Sequence, residues 1–340
     1  MRRLILALLI MILCPLSLYA ADPLAQWQPK FDPSTAEYTY LLSCVGHPGI
    51  EGVSVGYRIR DRVWEESNGR LYVDFRPLSQ LGGEKDVIGK LKMGAIHGMM
   101  SSSVAAPNIS PRLGLVNLPF LVGTFDQLER FRSNEQLFNE YGADALKKGI
   151  RVVDFTGYGS YGSATKEQGE PVADARKALF RIAEAPVNVD LYKAWEMQFT
   201  VMPWPDVPQA LQTGVITGLD HTPIVCNISK KFTVAKNFTE LNYAQGLYIH
   251  LINERWLKSL PKDLRTLLLK VIAEESASAR ARTEQQQNRE IEAAKADGVV
   301  FHELPAAEKA KLVELAEPVL QKWADKIGVD FLKQVRAELQ

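Results

Sequence analysis

Between residues 38 and 101 the spacing of apolar side chains switches back and forth between the strand period and the helix period. A β-rich run at 38–45 is followed by helical spacing at 53–68, where Val53, Tyr57, Ile59, Val63 and Trp64 recur on one face and Gly69 stops the pattern. Residues 71–75 alternate as a strand, 84–93 read as a helix, and 98–101 as a short strand. Strands that alternate with helices need crossover connections. Few architectures other than an α/β lobe accommodate them.

The pattern resumes further on. Residues 127–148 read as a helix ended by Gly149, 151–155 and 179–182 as strands, 187–197 as a helix, 199–202 as a strand, and 206–213 as a helix closed by Gly214. A chain of 340 residues exceeds what one hydrophobic core usually holds. The expectation is a two-lobed α/β protein, with lobe 1 over 38–150 and lobe 2 over 151–250. The remainder, 251–340, forms a helical scaffold in which 264–296 is one long helix, and part of it returns to lobe 1.

Ahead of this lies MRRLILALLIMILCPLSLYA at 1–20, with Arg2 and Arg3 before an apolar run and a small residue at its end. It reads as a secretory signal peptide cleaved after Ala20 or Ala21, which places the mature protein in the periplasm. The 40 basic residues balance 40 acidic ones, so a nucleic-acid partner is not expected. The five histidines are scattered, and no metal site is expected. Cys44 and Cys226 read as small buried thiols.

The stretch GYGSYG at 157–162 carries the G-x-G-x-x-G spacing of a dinucleotide turn, with a strand before it. The helix that should follow is missing, because Gly169 and Pro171 interrupt the chain too soon, so no nicotinamide or other cofactor is expected. Ser160 within it suggests a hydrolase nucleophile, but Tyr158 stands where a nucleophile elbow needs glycine. A secreted serine hydrolase is therefore kept only as a rival reading, and the protein is expected not to be an enzyme.

Three further stretches occur in order: SQLGGE within 79–84, LGLVNLPFLV at 113–122, and FRIAEAPVNVDLYKAWEMQFTVMPWPDVPQALQTGVITGLD at 180–220. Together they resemble the DctP-type substrate-binding proteins of tripartite ATP-independent periplasmic (TRAP) transporters, over most of residues 38–330. The resemblance implies two lobes that close around one small ligand and hand it to a TRAP membrane permease. A monomer is expected. A ligand-binding partner of a sensor, with the same fold, is the other reading of that resemblance.

It also implies site residues. Arg181 falls on the arginine that grips the ligand's carboxylate in the family, as a planar guanidinium does with two parallel hydrogen bonds. On its own it would read as a charge at a strand edge. Trp204 stands where the family carries phenylalanine against the ligand body, or is a core aromatic. His221, in GLDHTP, falls where the family has an asparagine that touches the carboxylate, with Thr222 next to it. Each can donate a hydrogen bond, and a ligand-contacting His221 would make binding pH-sensitive. His47, at the end of the first strand, and Ser102 and Ser103, after the strand at 98–101, are cleft candidates. Glu84 matches an acid near the family's cleft, or is a carboxylate favoured by a helix N-terminus. Gly162 falls at or near a second arginine of the family, so one cation is missing, and Tyr158 and Tyr161 line the vacated space. The cargo expected is a small organic acid, read as a monocarboxylate with an aromatic or hydroxylated body.

Overall fold

The computed structural model describes residues 24–167 and 176–339. The signal-peptide reading of 1–20 and the breakers Gly169 and Pro171 lie outside the described residues. The chain divides into a leading unit, Met1–Asp32, in which Ala25–Trp27 form a single 3-10 turn, and the unit Pro33–Gln340.

Within the second unit two sheets carry the architecture. The first is built from β1 (Tyr38–Cys44), β2 (Leu71–Arg76), β3 (Gly98–Ser102), β4 (Ile150–Ser160) and β10 (Gln245–Asn253), in the order β2-β1-β3-β10-β4. Strands β1, β2 and β3 are parallel, and β10 runs antiparallel between β3 and β4. The second holds β5 (Gly162–Thr165), β6 (Leu179–Ile182), β7 (Gln198–Val201), β8 (Gly218–His221), β9 (Asn237–Glu240) and β11 (Val300–Glu303), in the order β11-β9-β5-β8-β6-β7.

The crossover helices of the first sheet are α1 (Glu51–Glu66) and α2 (Glu84–Met93), and α3 (Phe125–Ser133) and α4 (Glu135–Lys147) precede β4. The second sheet takes α5 (Pro186–Ala194), α6 (Val207–Thr213) and α7 (Pro223–Ile228). After β10 come α8 (Glu254–Ser259), α9 (Lys262–Ala296), α10 (Ala306–Ile327) and α11 (Val329–Leu339). Left-handed glycines end two of these helices, Gly94 after α2 and Gly214 after α6, the second of them where the sequence predicts a stop.

Two elements differ from the reading of the sequence. The helix expected over 127–148 is two helices, because Asn134 turns out of the helix and its Oδ1 accepts from Leu137 N at 3.1 Å, capping α4. The strand expected at 151–155 runs on to Ser160, through the glycines. It is the edge strand of the first sheet, although the sequence division assigns it to lobe 2.

Each sheet has its own core. Leu247, Ile249 and Leu251 of β10 pack with Phe131, Phe138 and Trp323 of the helices above them. Leu219, Phe232 and Phe238 fill the second. Each such side chain, fully buried, contributes about 1.5–3 kcal/mol. The long helix α9, 35 residues and about 50 Å, packs on α1, β4 and α7. Its Gln286 accepts from Glu51 N at 2.8 Å, at the start of α1, while Glu290 accepts from Asn227 of α7 at 2.6 Å. One helix thus binds elements of both sheets. Among the described residues, no helix is long and apolar enough to cross a membrane.

Candidate functional site

The C-terminal ends of β1, β3, β6 and β8 converge on a cavity of about 410 Å³. Open α/β sheets place ligands there, because backbone and loop groups at the strand ends have no further strand to satisfy them. Arg181, one residue before the end of β6, lines this cavity and is only 5% exposed. Its Nε donates to Met202 O at 2.8 Å, and its Cζ lies 5.5 Å from the ring centre of Trp204. Among the described residues its terminal N–H groups make no hydrogen bond and no carboxylate is within ion-pair distance. Burial lowers its pKa, and the charges of Glu84 and Asp220 work against that shift from a distance.

His221 ends β8 and also lines the cavity. Its Nδ1 accepts from Thr222 N at 3.0 Å, so the neutral ring carries its proton on Nε2. Its ring stacks on Tyr161 at 5.7 Å and meets Trp204 edge-on at 4.9 Å. Burial, then Arg181 and Lys231, push its pKa well below the usual histidine range. Both effects favour the neutral ring in the ligand-free cavity. Thr222 is not in the cavity wall. It is fully buried at the N-cap of α7, and its hydroxyl donates to Tyr158 O at 2.6 Å while accepting from Val225 N. Its one proton is committed, so the expected ligand bond from Thr222 is not available.

Both tyrosines line the cavity and share a hydrogen bond of 2.8 Å between their hydroxyls. The glycine stretch explains how. Gly157 and Gly159 face Leu247 and Gly246 of β10, which leaves Tyr158 as the extra residue of a β-bulge. Gly159 takes φ +105°, a conformation that glycine adopts without strain, and the bulge re-aims the Tyr158 side chain into the cavity. Gly162 opens β5 against β8 and β9, and a Cβ there would overlap Thr239 O and the Phe238 ring. The position has no room for the second arginine.

On the first-sheet side, Glu84 starts α2 and lines the cavity. Its Oε1 accepts from Ser102 N at 2.6 Å and its Oε2 from the Ser102 hydroxyl at 2.7 Å. Burial raises its pKa, and the Ser102 bonds and Arg181 oppose that. Ser102 lines the cavity with its hydroxyl committed to Glu84. Ser103 lies behind the wall, its hydroxyl accepting from Leu247 N and its N–H donating to Leu247 O. His47 lines the cavity and its Nδ1 accepts from Gly49 N at 2.9 Å.

Sequence reasoning missed many members of the wall, among them the polar side chains of Asn188, Asp220, Lys230, Lys231 and Tyr248. Asp220 accepts from the Tyr243 hydroxyl at 2.9 Å and from Asn188 at 3.0 Å, and burial pushes its pKa up to about 6. Its place in GLDH, immediately before His221, was the available signal. Lys231 is 6% exposed and its Nζ lies 5.2 Å from the Trp204 ring centre. Cationic charge is therefore present in the wall beyond Arg181, from an element that the glycine argument did not consider.

The hydrolase reading meets its test at Ser160, whose hydroxyl exchanges hydrogen bonds with the Gln245 amide at 2.8 and 3.2 Å. No histidine or carboxylate among the described residues is bonded to it. Cys44 and Cys226 are free and buried, as expected. Among the described residues, no cluster could hold a metal ion.

Residues 57–326 match the family model of the bacterial extracellular solute-binding proteins, family 7. The C4-dicarboxylate-binding periplasmic protein DctP of Rhodobacter capsulatus is 28% identical over 279 residues, covering 80% of this chain and 82% of that protein. A TRAP periplasmic solute-binding protein of Sulfurospirillum deleyianum, solved with bound succinate, is 27% identical and superposes with a TM-score of 0.80. The match spans 89% of this chain and 99% of that one. One from Desulfovibrio salexigens, solved with bound orotic acid, shares the fold at a TM-score of 0.82 and 20% identity, over 89% and 98% of the two chains.

Proposed function

The chain belongs to the bacterial extracellular solute-binding proteins of family 7, and from that premise we propose that it captures a small organic acid through Arg181 and delivers it to a TRAP membrane permease. The family binds solutes rather than transforming them. One observation carries the assignment of the anchor: a buried guanidinium on the cavity wall, its Nε tied to Met202 O and its remaining N–H groups unpartnered among the described residues. A carboxylate satisfies those donors in parallel and compensates the buried charge. Its relatives support the class, since the Rhodobacter protein is named for C4-dicarboxylates and the Sulfurospirillum protein was solved with succinate.

The ligand's body lies against Trp204, Tyr158, Tyr161 and the neutral ring of His221, whose Nε2–H is a donor for it. Glu84 and Asp220 favour the charged form of Arg181 without pairing with it. The finer reading is a monocarboxylate with an aromatic or hydroxylated body, supported by the aromatic wall and by Gly162, where a second arginine has no room. The leader at 1–20 is removed after Ala20 or Ala21, and the mature protein works as a monomer in the periplasm. N-terminal sequencing of the exported protein reads the cleavage directly; an intact Met1 overturns that step.

Thermal shift against a library of organic acids tests the function. A ligand at 100 times its Kd adds about 2.7 kcal/mol to the folded state. The expected result is a stoichiometric stabilisation by one class of carboxylates. No stabilisation by any acid, together with turnover of an aryl ester, refutes the reading.

A further inference from the structure

We propose that Lys231 is a second recognition group of this cavity, which takes an oxygen acceptor carried by the ligand away from the carboxylate held by Arg181. The inference rests on the reading of the cavity as an organic-acid site. Lys231 opens a 3-10 turn, Lys231–Thr233, shortly after α7. The residue before it, Lys230, takes φ 59°, a left-handed conformation unusual for a side chain of that size, and Lys231 ends in the cavity wall.

Among the described residues its Nζ makes one hydrogen bond, to Ser229 O at 2.9 Å, which leaves two of three N–H groups without a hydrogen-bond partner there. Some other lysines pair with carboxylates, as Lys322 does with Asp190 and Lys147 with Asp144, while Lys90 and Lys148, like Lys231, donate to backbone carbonyls. Lys231 has no carboxylate within ion-pair distance among the described residues, although it is buried. A buried ammonium with open donors is costly unless something completes it. The same indole, Trp204, is approached by Lys231 at 5.2 Å and by Arg181 at 5.5 Å, so one ligand lying along that ring reaches both. An ammonium is a point charge with rotatable donors and suits a single oxygen, whereas the arginine fork suits a carboxylate. The acceptor is a hydroxyl or a carbonyl; a second carboxylate in that place would replace the monocarboxylate reading of the cargo.

The test measures Kd by calorimetry for straight-chain alkanoates of increasing length beside their ω-hydroxy and ω-carboxy counterparts. At one length the oxygenated acid is expected to bind about tenfold or more tighter than the plain one, the effect of a hydrogen bond to a charged group. Lys231→Met, which keeps the stem, erases that preference and leaves the plain acid within about threefold of its original Kd, against the full charged-bond effect. If the methionine variant does not fold, Lys231→Gln is expected to lose the preference for the ω-carboxy acids. Equal binding of plain and oxygenated acids at every length overturns the inference, as does a preference that survives both substitutions. Equal weakening of all acids by Lys231→Met overturns it too. Arg181→Gln separates the two readings: acids that still bind it as tightly overturn the carboxylate anchor instead. The ω-hydroxy and ω-carboxy arms tell a neutral acceptor from a second anion.

Discussion

Arg181→Met should move stability and binding in different directions. Without ligand, two effects oppose each other. The variant loses the bond from Nε to Met202 O, a charged hydrogen bond worth about 1.5–3 kcal/mol. It also relieves a guanidinium that is 5% exposed and has no ion-paired carboxylate among the described residues, a burden of several kcal/mol for a buried ion. Methionine keeps much of the stem, so packing changes little. The relief matches or exceeds the loss, and the ligand-free variant should unfold at or above the wild-type midpoint in urea. Glu84 and Asp220 lose the cation that favours their charged forms and take up protons more readily. With ligand the sign reverses. Truncating one partner of a buried, hydrogen-bonded charge pair weakens binding by about 2–5 kcal/mol, or roughly 30- to 5,000-fold in Kd. Urea denaturation without ligand and calorimetry with the best acid from the library give the two numbers. A ligand-free variant destabilised by more than about 3 kcal/mol, with binding weakened only in proportion, would make Arg181 a structural residue of β6 and refute the reasoning.

Two more predictions concern the second sheet. Asp220 is held at about 6 by burial, above its unfolded value near 3.9, so its contribution to stability is fully present below about pH 4 and is lost as pH rises through 6. Asp220→Asn lacks that dependence, and its stability relative to wild type should improve by on the order of 3 kcal/mol between pH 4 and 7; a difference that does not change with pH refutes it. Gly162→Ala places a Cβ against Thr239 O and Phe238 and should cost about 1–3 kcal/mol in urea denaturation, whereas an unchanged midpoint would show that the β5 ladder yields easily.

Much of the fold was legible because its signals are local. The helix α6 is closed in the sequence by Gly214 and α2 is marked by its period, and a side chain's face follows from its spacing alone. The break at Asn134 was not, because the helical period carries through it and only the capping bond to Leu137 marks the new start. GYGSYG was legible as something other than a cofactor turn, but not as a bulged strand, since a bulge is defined by the partner strand β10, far away in the chain. The cavity shows the same division. Arg181, Trp204, His221 and the two tyrosines, all named from the sequence, lie in its wall. Thr222 was misread because a threonine before a proline serves as an N-cap as readily as a ligand donor. Lys231 escaped because the short stretch around it shows no period that tells an inward lysine from a solvated one.

The strand order has a consequence for how the chain acquires its structure. Strand β10 lies between β3 and β4, so the first sheet cannot close until residue 253 is available, and all of the second sheet's strands except β11 are made in the interval. Neither sheet is drawn from one contiguous segment, since β10 completes the first and β11 the edge of the second. A fragment ending near residue 150 would hold β1, β2 and β3 with an open edge, a template for aggregation rather than a domain. Completion of the first sheet therefore waits on pairing between strands far apart in the chain, the kind of contact that slows folding.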